Sequence, residues 1–206
     1  MVRLDRTPSL EPLYGDAAAC LCDGRIVRGL SRLAGSALPL VSGSDLVRAL
    51  FDTVIAPGDK VCLVGGSAAT AQGLERMRPD VIIEQLIPPM NLGRDASARR
   101  AVVAFVRRSR ARFVLLAVGS PQQEMVAHEL RGAVGITGTA LCIGGAAEYL
   151  AGTKKRAPLA VQRAGLEFVW RIAEDPGRLW KRYLLDGPAI IPIFCRWWLN
   201  DRKRRG

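Results

Sequence analysis

The sequence predicts an α/β fold built on a Rossmann-like, mainly parallel sheet flanked by helices. Three observations carry that reading. Short apolar runs alternate with stretches of helical periodicity. The runs are four to six residues long, the length of buried strands rather than of core helices. Three of them end in glycine turns: Gly65-Gly66-Ser67, Gly119-Ser120-Pro121 and Gly144-Gly145-Ala146. Strand, glycine turn and helix in repetition is the pattern of a sheet whose crossovers are helical.

The elements follow in order. Ala17 to Cys22 leans apolar and predicts a strand end just before Asp23-Gly24. Asp45, in Ser42-Gly43-Ser44-Asp45-Leu46, reads either as the cap of a helix over Leu46 to Phe51 or as a ligand carboxylate. Lys60 to Val64 predicts a buried strand, and Ala68 to Arg78 the helix after it. Val81 to Glu84 is a second strand. Ser97 to Ser109 is helical, with Val102, Val103 and Val106 on one side. Phe113 to Val118 is a third strand, Gln122 to Leu130 a helix, and Ala140 to Ile143 a fourth strand. The character changes after Gly152. Lys154-Lys155-Arg156-Ala157-Pro158 is a basic loop, Leu159 to Ala173 a helix, and Pro176 opens another that ends near Asp186. This predicts an α/β core over residues 1–152 and a basic, tryptophan-containing helical appendage over residues 153–206.

Composition narrows the partners. The chain has 206 residues, is 49% hydrophobic, and carries a formal net charge of +11. Such a charge points to an anionic partner. Its location chooses among them. From Pro176 to Gly206 eight basic residues face only Asp186 and Asp201, and all four tryptophans (Trp170, Trp180, Trp197, Trp198) lie in the last quarter. Basic residues with tryptophan and a short apolar run suit an anionic membrane surface better than a nucleic-acid groove. The run from Pro188 to Leu199 is too short to span a bilayer and contains Arg196. No signal-peptide pattern is read at the N-terminus. The five cysteines have no metal-site spacing and there is a single histidine, so they read as small buried hydrophobes and a zinc site is not expected.

The candidate chemistry sits at the turns. Glycine lets backbone amides approach a phosphate, and a following helix N-terminus favours negative charge. Each turn alone is also an ordinary turn; three on one sheet edge favour a diphosphate or sugar site. Asp23 suits a general base at a strand end, and equally a turn pair with Gly24. A glutamine such as Gln123 can read sugar hydroxyls, while Glu124 and Glu148 near helix starts read as ordinary helix-dipole residues. His128 is expected to be a surface helix residue without a role.

Taken together, these motifs resemble the WecG/TagA/CpsF glycosyltransferases. Gly119 to Glu124 resembles the family's Gly-x-Pro-x-Gln-Glu motif, and Gly144 to Gly152 its Gly-Gly-x-Phe-Asp-x-x-x-Gly motif. Arg156-Ala157-Pro158, Gly165-Leu166-Glu167, Arg171, Pro176, Arg178-Leu179 and Arg182-Tyr183-Leu184 resemble its C-terminal signature. Gly43-Ser44-Asp45-Leu46 resembles its Gly-x-Asp-Leu motif, and Asp23-Gly24 the Asp-Gly pair whose Asp is the base. The resemblance spans roughly residues 20 to 187. The chain departs from the pattern at Glu148 (family Asp), Ala147 (family Phe) and Leu40 (family Arg). The family's N-terminal Thr-Pro-Asn segment reads as shortened, with Thr7-Pro8-Ser9 as its remnant.

The resemblance implies an inverting transfer of a sugar from a UDP-sugar to a polyprenyl-diphosphate-linked saccharide, with no metal and no cofactor, in bacterial surface polysaccharide synthesis. The implied place is the cytoplasm, peripheral on the inner membrane face. It assigns Asp23 as the base. Gly43, Asp45, Gly65, Gly66, Gly119, Gln123, Glu124, Gly144, Gly145 and Glu148 are assigned to the donor. Arg156, Arg171, Arg178, Arg182, Trp197 and Trp198 are assigned to the acceptor diphosphate and membrane. Self-association is left open. The alternative is a catalytically impaired relative that binds lipid-linked sugar or a partner transferase; a nucleic-acid-binding domain is disfavoured for want of any recognised motif.

Overall fold

The protein is described from a computed structural model, which describes residues 2–155, 157–158, 161, 167–174, 177, 180 and 187–205. The expected strands form: β1 (Lys60–Gly65), β2 (Ile82–Leu86), β3 (Phe113–Ala117) and β4 (Thr139–Cys142). They pair in the order β2-β1-β3-β4, every pair parallel. Val61 lies opposite both Ile83 and Phe113, and Leu115 opposite Leu141.

Alternation along the strands feeds two cores. Val61, Leu63, Phe113 and Leu115 face one side, with Val47, Phe51, Leu74, Ala147 and Leu150. Cys62, Val64, Val114 and Leu116 face the other, with Leu92, Val102, Val106, Val126 and Leu130. Both faces are therefore dry, and this is why β1 and β3 read as unbroken apolar runs.

The first core is covered by α4 (Gly43–Ala49, widening to a π turn over Leu50–Val54), α5 (Ala68–Met77) and α8 (Ala146–Leu150). The second is covered by α6 (Ala96–Ser109) and α7 (Gln122–Gly132). The caps fix the entries. Ser67 and Thr70 form a reciprocal capping box on α5. The Asp95 carboxylate accepts from the Ser97 and Ala98 amides at the start of α6.

The chain divides into two compact units. One comprises residues 12–19 and 41–155, and so holds the whole sheet. The other comprises residues 1–11, 20–40 and 156–206. In it, α1 (Val2–Arg6) meets the C-terminal helix Ile190–Arg205, where Arg196 Nη2 donates to both Asp5 carboxylate oxygens at 2.7 and 2.8 Å. A short helix α2 (Glu11–Gly15) precedes α3 (Arg25–Leu33), and another helix covers Glu167–Glu174.

Three local expectations need correction. Ala17 to Cys22 is not a strand: only Cys22 pairs, through one isolated parallel bridge to Leu40. Alanine offers little area to a pleated surface, and residues 17 to 21 are exposed. Asp45 is not the helix cap. Ser42 caps α4, and Asp45 stands in its first turn with Ser42 Oγ donating to its carboxylate at 2.7 Å. Of the cysteines only Cys62 is buried; Cys20, Cys142 and Cys195 are exposed. Arg156, Arg178, Arg182 and most of the helix expected from Pro176 to Asp186 lie outside the described residues.

Candidate active site at the carboxyl edge of the sheet

Because every strand is parallel, the three glycine turns emerge on one edge. The strand order adds a direction. The chain runs from β1 out to β2, then crosses back to β3 on the other side of β1. The crevice of such a sheet opens between the carboxyl ends of β1 and β3. The two turns touch there. A Cβ on Gly65, whose φ is +94°, would lie 2.8 Å from both the Ala117 carbonyl oxygen and Val118 Cγ1. Only glycine allows this approach.

Side chains lock the turns to one another. Gln85, at the end of β2, donates from Nε2 to the Gly65 carbonyl at 2.9 Å and to the Ser67 carbonyl at 3.0 Å. Gln123 is buried in the first turn of α7. Its Oε1 accepts from the Gly144 amide at 3.0 Å, and its Nε2 donates to Glu124 Oε1 at 3.1 Å. The turns after β3 and β4 are thus joined through one amide side chain. Gly43 closes the same edge, since a Cβ there would stand 3.5 Å from Ala146 Cβ.

The two acidic residues differ. Glu148 lies 2.5 Å from Lys154 Nζ as an ion pair, and its carbonyl accepts from the Thr153 and Lys154 amides. Glu124 is buried, and Oε1 also accepts from the Tyr14 hydroxyl at 3.3 Å. Its Oε2 is buried without a hydrogen-bond partner among the described residues. A carboxylate in the first turn of α7 repels phosphate and suits hydroxyl donors.

Gly43, Asp45, Gly65, Gly66, Gly119, Gln123, Glu124, Gly144, Gly145 and Glu148 all lie in the sheet-bearing unit, and direct contacts join Gln123 to Glu124 and Gly144. Asp23 belongs to the other unit. It is exposed, two residues before α3, and follows the Cys22–Leu40 bridge. That bridge sets Leu40, where the family has Arg, beside the residue preceding Asp23. Arg171 lies in the Glu167–Glu174 helix. Trp197 and Trp198 lie in the C-terminal helix, where Phe194 stacks on Trp198 at 6.2 Å and meets Trp197 at 5.8 Å.

Sequence reading missed Gln85 and Tyr14. A glutamine next to the carboxyl end of β2, on the edge that carries the glycine turns, was a readable signal for the first. Tyr14 carried none, because its partners are 106 and 110 residues away.

The sequence profile of the glycosyl transferase WecG/TagA/CpsF family matches residues 1–204. The chain belongs to this family. As a WecG/TagA/CpsF member it is a glycosyltransferase, and the family match takes in the glycine turns, the Gln123-Glu124 pair and the C-terminal basic segment alike.

Proposed function

We propose that this glycosyltransferase moves a sugar, with inversion, from a UDP-sugar to a polyprenyl-diphosphate-linked saccharide on the inner face of a bacterial membrane. The convergence of three glycine turns at the switch point of an all-parallel sheet carries the donor half of this reading. Turn amides would face the diphosphate, while Gln123 and Glu124 would face sugar hydroxyls. Asp23 would take the proton of the acceptor hydroxyl. The freed oxygen forms its bond to the anomeric carbon as the bond from that carbon to the β-phosphate oxygen breaks. UDP leaves with the electron pair, its charge met by amides and arginines. Arg156, Arg171, Arg178 and Arg182 are proposed to hold the acceptor's diphosphate, to which guanidinium forks are suited. No metal is required in this scheme, and the sequence holds no Asp-x-Asp pair.

The experiment is a donor screen. The full chain is incubated with short-chain lipid-diphosphate acceptors and with UDP-glucose, UDP-N-acetylmannosamine or its uronic acid, and the product is read by mass spectrometry with and without EDTA. One UDP-sugar should be transferred, with or without chelator. Failure of every donor, or activity restored only by magnesium or manganese, counts against the scheme.

The second reading is a catalytically impaired relative that binds lipid-linked sugar or a partner transferase; it rests on the departures from the family pattern at Glu148, Ala147 and Leu40. Binding of the acceptor without product from any donor would select it.

A further inference from the structure

Among the described residues the buried polar side chains are Thr70, Ser109, Gln123 and Glu124, and only Glu124 is acidic. A buried carboxylate oxygen without a donor is costly, and such an exception in a native fold asks for a partner. Glu124 has this asymmetry. Oε1 takes two donors, Tyr14 and Gln123, and Oε2 takes none.

Tyr14 comes from a segment far away in sequence. Residues 12–19 belong to the sheet-bearing unit and run along α7 as a strap. Asp16 Oδ2 lies 2.9 Å from His128 Nδ1, and Arg131 Nη1 donates to the Asp16 carbonyl. Glu124, His128 and Arg131 are spaced by four and three residues, so they share one face of α7. The strap is thus fixed at Asp16 and delivers the Tyr14 hydroxyl to Glu124 at 3.3 Å and to within 3.4 Å of Ser120 Oγ. Ser120 is in the turn after β3.

We propose that Tyr14 is a positioning residue for the donor's sugar: it fixes the Glu124 carboxylate so that Oε2 accepts a hydrogen bond from a sugar hydroxyl. The proposal rests on the donor reading above and deepens it. The ligand group at Oε2 is an uncharged hydroxyl, because an acidic side chain repels the diphosphate. Oε2 is covered in the free chain, so the hydroxyl reaches it by a local side-chain shift. Water is largely excluded there, which strengthens a hydrogen bond to this oxygen.

The test separates sugar from nucleotide. The full chain is titrated by calorimetry with UDP, UDP-glucose and UDP-N-acetylmannosamine. The wild type should bind one UDP-sugar more tightly than UDP. Tyr14→Phe, which keeps the ring, should weaken that UDP-sugar by about tenfold, the scale of a hydrogen bond to a charged group, and leave UDP unchanged. Glu124→Gln should remove the same sugar preference, and Tyr14→Phe should add nothing to it. Equal weakening of UDP and UDP-sugar would make Tyr14 merely structural and overturn the inference. So would an unchanged Tyr14→Phe variant, or a wild type that gains nothing from the sugar; in both, the UDP site stands. A wild type that binds neither UDP nor any UDP-sugar removes the donor reading itself, and this inference with it.

Discussion

Asp23 and Cys62 lie in opposite surroundings, one exposed and the other buried in the sheet. Asp23 stands at the entry to α3 and is the base in the reading proposed above. Asp23→Asn keeps the shape and removes the proposed base. Turnover should fall by about two to four orders of magnitude, the range of a lost acid-base group, with UDP binding unchanged. Near-wild-type turnover would remove Asp23 from the mechanism. Cys62 is the opposite case. Burial inside β1, with the Glu84 charge nearby, pushes its thiol from 9.0 up to about 12. The unfolded chain therefore gives up this proton first as pH rises. The contribution is whole below pH 9 and is lost as pH climbs towards 12. Stability measured by denaturant should fall between pH 9 and 11 with an extra slope on the order of 1 kcal/mol per pH unit. Cys62→Ala should start lower but lack that slope. Parallel curves for the two proteins would refute the assignment.

At the scale of elements, packing overrides propensity where α5 meets the end of α8. Gly73 lies inside α5, where alanine is the better helix former by about 1 kcal/mol. Yet a Cβ there would overlap the Ala151 carbonyl oxygen and sit 2.7 Å from Ala151 Cβ. Overpacking of that kind costs about 1–3 kcal/mol, so Gly73→Ala should lower stability despite the gain in propensity. Gly132, the last residue of α7, has nothing within 4 Å of such a Cβ. Gly132→Ala should be neutral or slightly stabilising. A Gly73→Ala protein that melts above wild type would show that the helices can part. The same contrast explains what the sequence made legible. β1 to β4 came out within about two residues of their expected spans: in β1 and β3 two dry faces demand apolar residues at successive positions, while the more exposed edge strands β2 and β4 were legible as short apolar runs between helical stretches. Ser42 could have been found as the cap, since Ser-x-x-Asp before an apolar run is a start signal. Ala17 to Cys22 misled because its alanines are apolar without supplying a packed face. The strap from Pro12 to Ala19 was invisible, since its contacts with Ser120, Glu124, His128 and Arg131 join distant residues through no local period.

The whole molecule is strongly basic, and its C-terminal helix offers a place to use that charge. Among the described residues no helix is long and apolar enough to cross a membrane. In the reading proposed above, Ile190–Arg205 instead lies on one. Ile191, Cys195 and Leu199 recur every four residues and are exposed, the two aliphatic side chains by 51% and 57%. Trp197 is 49% exposed, and Arg196 and Lys203 are exposed on the same helix. Apolar side chains entering the headgroup boundary contribute about 1.5–3 kcal/mol each when fully buried. Each nearby Lys or Arg adds about 1 kcal/mol on an anionic surface, a contribution that salt screens. The full chain should therefore sediment with phosphatidylglycerol vesicles, less so at high salt, and poorly with phosphatidylcholine. Ile191→Asp with Leu199→Asp changes only exposed positions, so the fold and UDP binding should survive. Vesicle binding should drop by at least about tenfold, given two lost apolar contacts and two added negative charges. Transfer to a membrane-embedded acceptor should fall in step, while transfer to a short-chain, water-soluble acceptor should not. If the doubly substituted chain sediments with anionic vesicles as well as wild type does, the C-terminal helix is not the docking element.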